Sequence, residues 1–191
     1  RNWRGRQEWE SGKGWQDFYG GDPVAQERFE KWSSGFGTGS HGLGGMAGTV
    51  IGEKGAIRAG YGELVNLAKE LAKRGVNPEE IFRQTRSFLG PDNKWMHEIS
   101  DVGAKLNVND GNISFTHHEL EKAYPEYAKV KTNFGGLQNP NAEAQFNPAD
   151  PLMWHFGSKG SVSFKEGQRP TLSTMLHEMQ HWVQSHPENN W

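Results

Sequence analysis

The chain has 191 residues, with 21 Lys plus Arg against 23 Asp plus Glu and a formal charge of −2. So even a balance, with a pI near 6.5, raises no basic field to draw in nucleic acid or an anionic membrane, and neither partner is implied. Cysteine is absent, which excludes disulfides and thiolate metal sites and leaves imidazole and carboxylate to hold any transition metal.

A mean hydropathy of −0.84, with no apolar run near the ~18 residues of a membrane-spanning helix, predicts a soluble chain. It starts at Arg1, and no charged start runs into an apolar stretch, so no signal peptide is in view and the chain reads as part of something longer. The expected division is an irregular aromatic and Gly-rich extension over residues 1–48 and one domain over 49–191, open at its C-terminal end.

In the extension, Trp3, Trp9 and Trp15 recur at a spacing that fits neither helix nor strand and read as an arm docking by its aromatics. Asp22-Pro23 then reads as the cap and first residue of a helix to about Trp32. The glycine-rich stretch 35–48 lacks both the dinucleotide spacing and a Gly-Lys-Ser/Thr ending, so a tight or flexible loop is expected there in place of a phosphate cradle.

From Glu63 to Arg74, Leu64, Leu67, Ala68 and Leu71 recur at helical spacing, and Gly75 follows as a stop. Asn77-Pro78-Glu79-Glu80 starts a second helix, making a helical hairpin. After Gly90-Pro91-Asp92-Asn93, residues Lys94–Ser100 alternate and predict a strand with Trp95 and Ile99 in the core. Short strands at Lys105–Val108 and Asn112–Phe115 flank Asn109-Asp110-Gly111, a hairpin signal.

Thr116-His117-His118-Glu119 reads as a capping box that opens a short helix ending before Pro125. Another strand is expected at Tyr127–Thr132, then a long functional or mobile connection over 133–151, then strands at Met153–Phe156 and Ser161–Phe164. Pro170 introduces the last helix.

That helix carries the chemistry. His177 and His181 lie four residues apart and therefore about 40° apart around it, so both imidazoles can reach one ion. Leu172, Met175, Leu176, Met179, Trp182 and Val183 share an arc of about 120° that would face the core, with His177, Glu178 and His181 opposite. Two neutral imidazoles hold Zn²⁺ and leave room for a water, whose pKa the ion lowers toward ~7. Glu178 is placed to take that water's proton as general base. The bland alternative is a solvated helix face with two idle histidines.

A third ligand is needed, and His186 and Glu188 are the local candidates; a ligand beyond Trp191 is the other reading. His117 and His118 are expected at the surface. His41, His97 and His155 are lone histidines, any of which could instead polarise a carbonyl.

The order of these segments resembles a known family. Gly52-Glu53-Lys54, the helix Leu64–Arg74, Ile81-Phe82-Arg83-Gln84-Thr85 and Gly90-Pro91-Asp92-Asn93-Lys94-Trp95-Met96-His97-Glu98-Ile99-Ser100-Asp101 are similar to a domain of phage large polyvalent proteins. So are His118-Glu119-Leu120, Ala123-Tyr124-Pro125-Glu126 and Leu176-His177-Glu178-Met179-Gln180-His181 with Gln184, the likeness running over roughly residues 50–185.

The resemblance implies a zincin-like metallopeptidase domain in long phage or prophage proteins that travel with the injected genome. Location would be the virion or, after injection, the host cytoplasm. Relatives continue with a Glu-Gly segment able to supply a third ligand, where this chain has Glu188 followed by Asn189. The expected fold is α+β and zincin-like, the metal helix against a small, mainly antiparallel sheet. The expected activity is zinc-dependent hydrolysis of a peptide or protein substrate. Its rival is a catalytically silent structural or interaction module touching other virion proteins, and a nucleotide transferase built on 35–48 is a distant third.

Overall fold

The computed structural model describes residues 48–90 and 93–189. The tryptophan arm, the Asp22–Trp32 helix, His41 and nearly all of the glycine stretch lie outside the described residues. Within them the fold is mixed α and β, with three small sheets and six α-helices.

The first sheet has the order β1-β3-β2, all antiparallel, from β1 (Val50–Gly52), β2 (Ser87–Leu89) and β3 (Trp95–Glu98). Between β1 and β2 run α1 (Glu53–Arg58), α2 (Gly62–Lys73) and α3 (Pro78–Thr85). The hairpin signals hold. Asn77 Oδ1 accepts the Glu79 N–H at 2.9 Å with Pro78 in the first turn, and Gly75 takes the left-handed conformation (φ 75°) that ends α2. The buried stripe of α2 is rotated from the expected one: Val65 and Ala68 are buried, while Leu64 and Leu67 are exposed.

β3 is a strand where alternation predicts one, but both its faces are covered. Met96, His97 and Glu98 are buried along with Ile99, whereas Trp95 is half-buried and packs against the core. Helices α1 and α2 pack against the strand, and the Tyr61 ring stacks on His97 with 4.5 Å between centroids, so the face that alternation marks as polar is closed as well.

β4 (Lys105–Asn109) and β5 (Asn112–Thr116) form the predicted hairpin. Asp110 and Gly111 both have positive φ (48° and 80°), the pair that a two-residue turn matching the strand twist requires. Next comes α4 (His118–Ala123), whose cap is His117, not Thr116: His117 Nδ1 accepts the Leu120 N–H at 3.2 Å. This corrects the expectation of a surface His117, which is only 2% exposed. His118 is exposed as expected.

The stretch from Tyr127 divides differently from its prediction. A 3-10 turn (Pro125–Lys129) buries Tyr127, and β6 (Lys131–Phe134) follows. The connection 133–151 contains a strand of its own, β7 (Ala144–Asn147). Met153–Phe156 is helical and not extended: α5 (Pro151–His155) starts from Asp150, whose Oδ1 accepts the Leu152 N–H at 2.8 Å, with Pro151 in the first turn. That start signal outweighs the short apolar run behind it. His155 is exposed.

The third sheet has the order β6-β8-β7, with β8 (Ser161–Phe164) parallel to β6 and antiparallel to β7. The last helix, α6 (Leu172–Ser185), is capped by Thr171, which accepts the Thr174 N–H at 3.1 Å. It packs on β1, β4, β7 and β8 and so touches all three sheets. Met175, Met179, Trp182 and Val183 join Ile51, Leu120, Tyr124, Val162 and Phe164 in the core.

Candidate metal centre

Because α6 commits its apolar arc to the three sheets, the opposite face borders a cleft that His181 lines, with His177 one turn back along the helix, both half-buried. Their Nε2 atoms converge to 3.2 Å, with the rings nearly perpendicular at 86°. Two imidazoles on one tetrahedral zinc with Zn–N near 2.05 Å would hold their nitrogens about 3.3 Å apart. The observed separation is close to that spacing.

Gln184, one turn further along, supports this. Its Oε1 lies 3.1 Å from His181 Nδ1. In that orientation His181 Nδ1 carries the proton and donates, which leaves the Nε2 lone pair facing His177.

Glu178 sits beside the pair but is far more enclosed than a residue on an open face, at 2% exposed. Its Oε2 accepts the backbone N–H of Phe146 at 2.7 Å. Phe146 lies on β7, whose Gln145 and Asn147 face Ser163 and Ser161 of β8. The cleft between β7, the loop before it and α6 encloses about 390 Å³ and is lined by Gln138, Asn139, Gln145, Phe146, Glu178 and His181. Gln145 Oε1 accepts the N–H groups of Gln138 (3.0 Å) and Asn139 (3.4 Å) and so closes the loop onto the strand.

The structure does not bring His186 and Glu188 to this pair. His186 is buried among Tyr124, Trp154 and Trp182, on the core side of the helix end. Its Nε2 lies 2.8 Å from Glu126 Oε1, and its Nδ1 accepts the Glu188 N–H at 3.2 Å. Burial works against the Glu126 carboxylate, but the His186 hydrogen bond and the His186 and Arg58 charges outweigh it and hold its pKa below the usual range. The Glu188 carboxylate is forked onto Arg58, at 3.1 and 2.5 Å. The helix ends at Ser185, before Pro187, and the chain turns toward α1, where Arg58 holds Glu188. Among the described residues no group of three His, Cys, Asp or Glu is gathered closely enough to hold a metal.

Sequence reasoning missed β7 and its Phe146 N–H, together with the amide-lined cleft wall. The four-residue strand Ala144–Asn147 was legible only as a weak alternation inside a polar connection.

The class these observations define is a mixed α+β domain with an HExxH helix bordering a cleft. Residues 49–107 match the family model described as large polyvalent protein associated domain 23. That segment runs from β1 into β4, ending at Asn107, and stops before α6. No curated protein matches the chain significantly, and neither does any solved structure. Among the described residues no helix is long and apolar enough to cross a membrane.

Proposed function

We propose that this chain is a zinc-dependent peptide hydrolase domain of a phage or prophage polyvalent protein. The observation that carries the reading is the 3.2 Å convergence of His177 and His181 Nε2, beside a buried Glu178, at the rim of a cleft. His177 and His181 would hold the ion, and Gln184 would keep His181 in the tautomer that presents Nε2. Zinc, when bound there, supplies Lewis acidity toward water and toward the scissile carbonyl.

The protein's own groups do the rest. Glu178 takes a proton from water and returns it to the leaving amine, a role that needs a carboxylate within hydrogen-bond reach of the cleft. The wall of Gln138, Asn139, Gln145 and Phe146 beside Glu178 and His181 is the side along which a peptide would lie. The whole protein would act in the virion or in the host cytoplasm after injection.

A second reading is favoured by one observation: no third ligand joins His177 and His181 among the described residues. On that reading the domain is a catalytically silent interaction module. Zinc stoichiometry and peptide-library cleavage, measured on the same preparation, separate the two. Bound zinc with cleavage supports the hydrolase, and bound zinc without cleavage supports the module. A protein that takes up no zinc removes the first reading.

A further inference from the structure

A second cavity, of about 450 Å³, shares no lining residue with the cleft; its walls include Gly48, Tyr61, Leu64, Arg86, His97 and Val102. Its volume is within the range of sites that take an organic group, roughly 300–1,000 Å³. Apart from Gly48, all of its lining residues fall within 49–107.

The chain enters the fold through this wall. A Cβ on Gly48 would lie 1.8 Å from the Ile99 carbonyl oxygen, so the backbone passes the end of β3 more closely than a side chain allows. Thr49 is held as firmly. Its carbonyl accepts the Ile99 N–H at 2.8 Å, and its N–H and hydroxyl donate to Asp101 Oδ1 at 3.1 and 2.8 Å. Residues 1–47 therefore join the domain at a fixed point on the edge of the cavity.

Polar groups of the wall are engaged by the fold itself. The Tyr61 hydroxyl donates to Glu119 Oε2 at 2.5 Å, Ser87 Oγ lies 2.8 Å from His97 Nδ1, and Arg86 Nη1 lies 3.5 Å from Glu98 Oε2. Burial, with Arg86 nearby, pulls the His97 pKa down to about 4, so its ring is neutral near pH 7. The cavity thus presents ring and aliphatic surface: the stacked Tyr61 and His97, 4.5 Å between centroids, with Leu64, Ile99 and Val102. Val102 is 93% exposed, and Leu64 and Leu67, one turn apart on α2, are exposed as well. Apolar surface left in water around a cavity suits a large apolar occupant, and Arg86 in the wall favours an aromatic one, since a guanidinium is drawn to a ring face.

The sequence carries such groups next to the entry point. Trp3, Trp9, Trp15 and Trp32 are four of the eight Trp, and Phe29, Trp32 and Phe36 fall within eight residues. Residues 35–48, seven of them glycine, connect that cluster to the cavity wall. A glycine-rich chain of that length has a mean span of about 20 Å, which keeps the cluster at high effective concentration beside the cavity. Of the four, Trp32 is nearest to Gly48 in sequence, and closing the shortest loop costs the least chain entropy. We propose that this cavity is the docking site of the chain's own residues 29–36, with the Trp32 indole seated against Tyr61, His97 and Arg86.

The test uses the full chain, whose lack of cysteine lets a pair be placed at will. Ser33→Cys with Val102→Cys should be joined within one chain by a short bismaleimide, read by peptide mapping. Ser33→Cys with Leu152→Cys is the control, Leu152 being exposed on α5, and should not be joined. Leu64→Asp charges the apolar wall and should slow the Val102 link about tenfold. In NMR spectra Trp32→Ala should move the backbone amide signals of Tyr61, His97 and Val102, while Trp3→Ala, Trp9→Ala and Trp15→Ala leave them in place. Equal linking at positions 102 and 152, no link at 102, or links only between two chains would overturn the proposal, the last assigning the surface to a second copy. So would unmoved signals in Trp32→Ala, or signals that follow one of the other three Trp.

Discussion

Gln180 on α6 pairs with both backbone groups of Val50 on β1. The Val50 N–H donates to Gln180 Oε1 at 2.7 Å, and Gln180 Nε2 donates to the Val50 carbonyl at 3.0 Å. Among the described residues β1 has a strand neighbour only on its β3 side, and Gln180 at Val50, with the Tyr124 hydroxyl that accepts the Gly52 N–H at 3.0 Å, takes up its other edge. The Gln180 side chain also ties the segment 49–107 to the helix that carries His177 and His181. Gln180 occupies one of the two unspecified positions of the His-Glu-x-x-His pattern, where the sequence alone assigns it no task.

Removing that amide should be costly for its size. Gln180→Ala strands a buried donor and a buried acceptor, each worth about 1–3 kcal/mol when left unpaired, so the loss should be about 2–4 kcal/mol. Urea unfolding measures it directly. A loss below about 0.5 kcal/mol would mean that water or a shifted neighbour replaces the pair.

Zinc should bind at about one ion per chain and depend on both imidazoles. His177→Ala with His181→Ala should reduce bound zinc to background by elemental analysis while α6 persists, since neither side chain belongs to the buried core. Gln184→Leu should weaken zinc without abolishing it, by roughly 10–100-fold, because it removes only the partner that orients His181. Undiminished zinc in the double variant would place the metal elsewhere.

Glu178→Gln separates a hydrolase from a zinc-holding scaffold. The amide oxygen can still accept the Phe146 N–H, so fold and zinc content should stay close to wild type. Cleavage at matched zinc occupancy should drop by about 10²-fold or more, the scale for losing a positioned acid or base. Equal rates in the two proteins would remove Glu178 from the mechanism.

Acid should destabilise the first sheet through His97. Its pKa is lowered from 6.5 to about 4 by burial, with a smaller contribution from Arg86. The folded state therefore takes up its proton later than the unfolded state. The stability of the neutral ring is fully present above pH 6.5, erodes as pH falls through that value, and is gone below about pH 4. The gap corresponds to about 3 kcal/mol at most. His97→Gln should flatten the pH dependence of unfolding across that window, and an unchanged slope would assign it to other groups.

Local signals were legible wherever the chemistry is short-range. Asn77-Pro78 opens α3 because a side-chain acceptor and a preset φ act within one turn. Asp110-Gly111 makes a hairpin because both residues tolerate positive φ. His177, Glu178 and His181 stand out because their spacing and the apolar arc opposite them are properties of a single helix.

What only the tertiary structure decided is who meets whom across the chain. Trp95, which alternation places in the core, is half-buried, whereas Met96 on the opposite face is fully buried. His117 became a buried cap bonded to Asp101, and His186 and Glu188 turned toward Glu126 and Arg58 because the chain after α6 folds back along the core. The short strand β7, no more than a weak alternation in the sequence, acquired its place by pairing with β8 and by giving its Phe146 N–H to Glu178, 32 residues away. Spacing along one helix sets which side chains share a face; the partners of that face are set by burial and hydrogen bonding among segments distant in sequence, which no local pattern encodes.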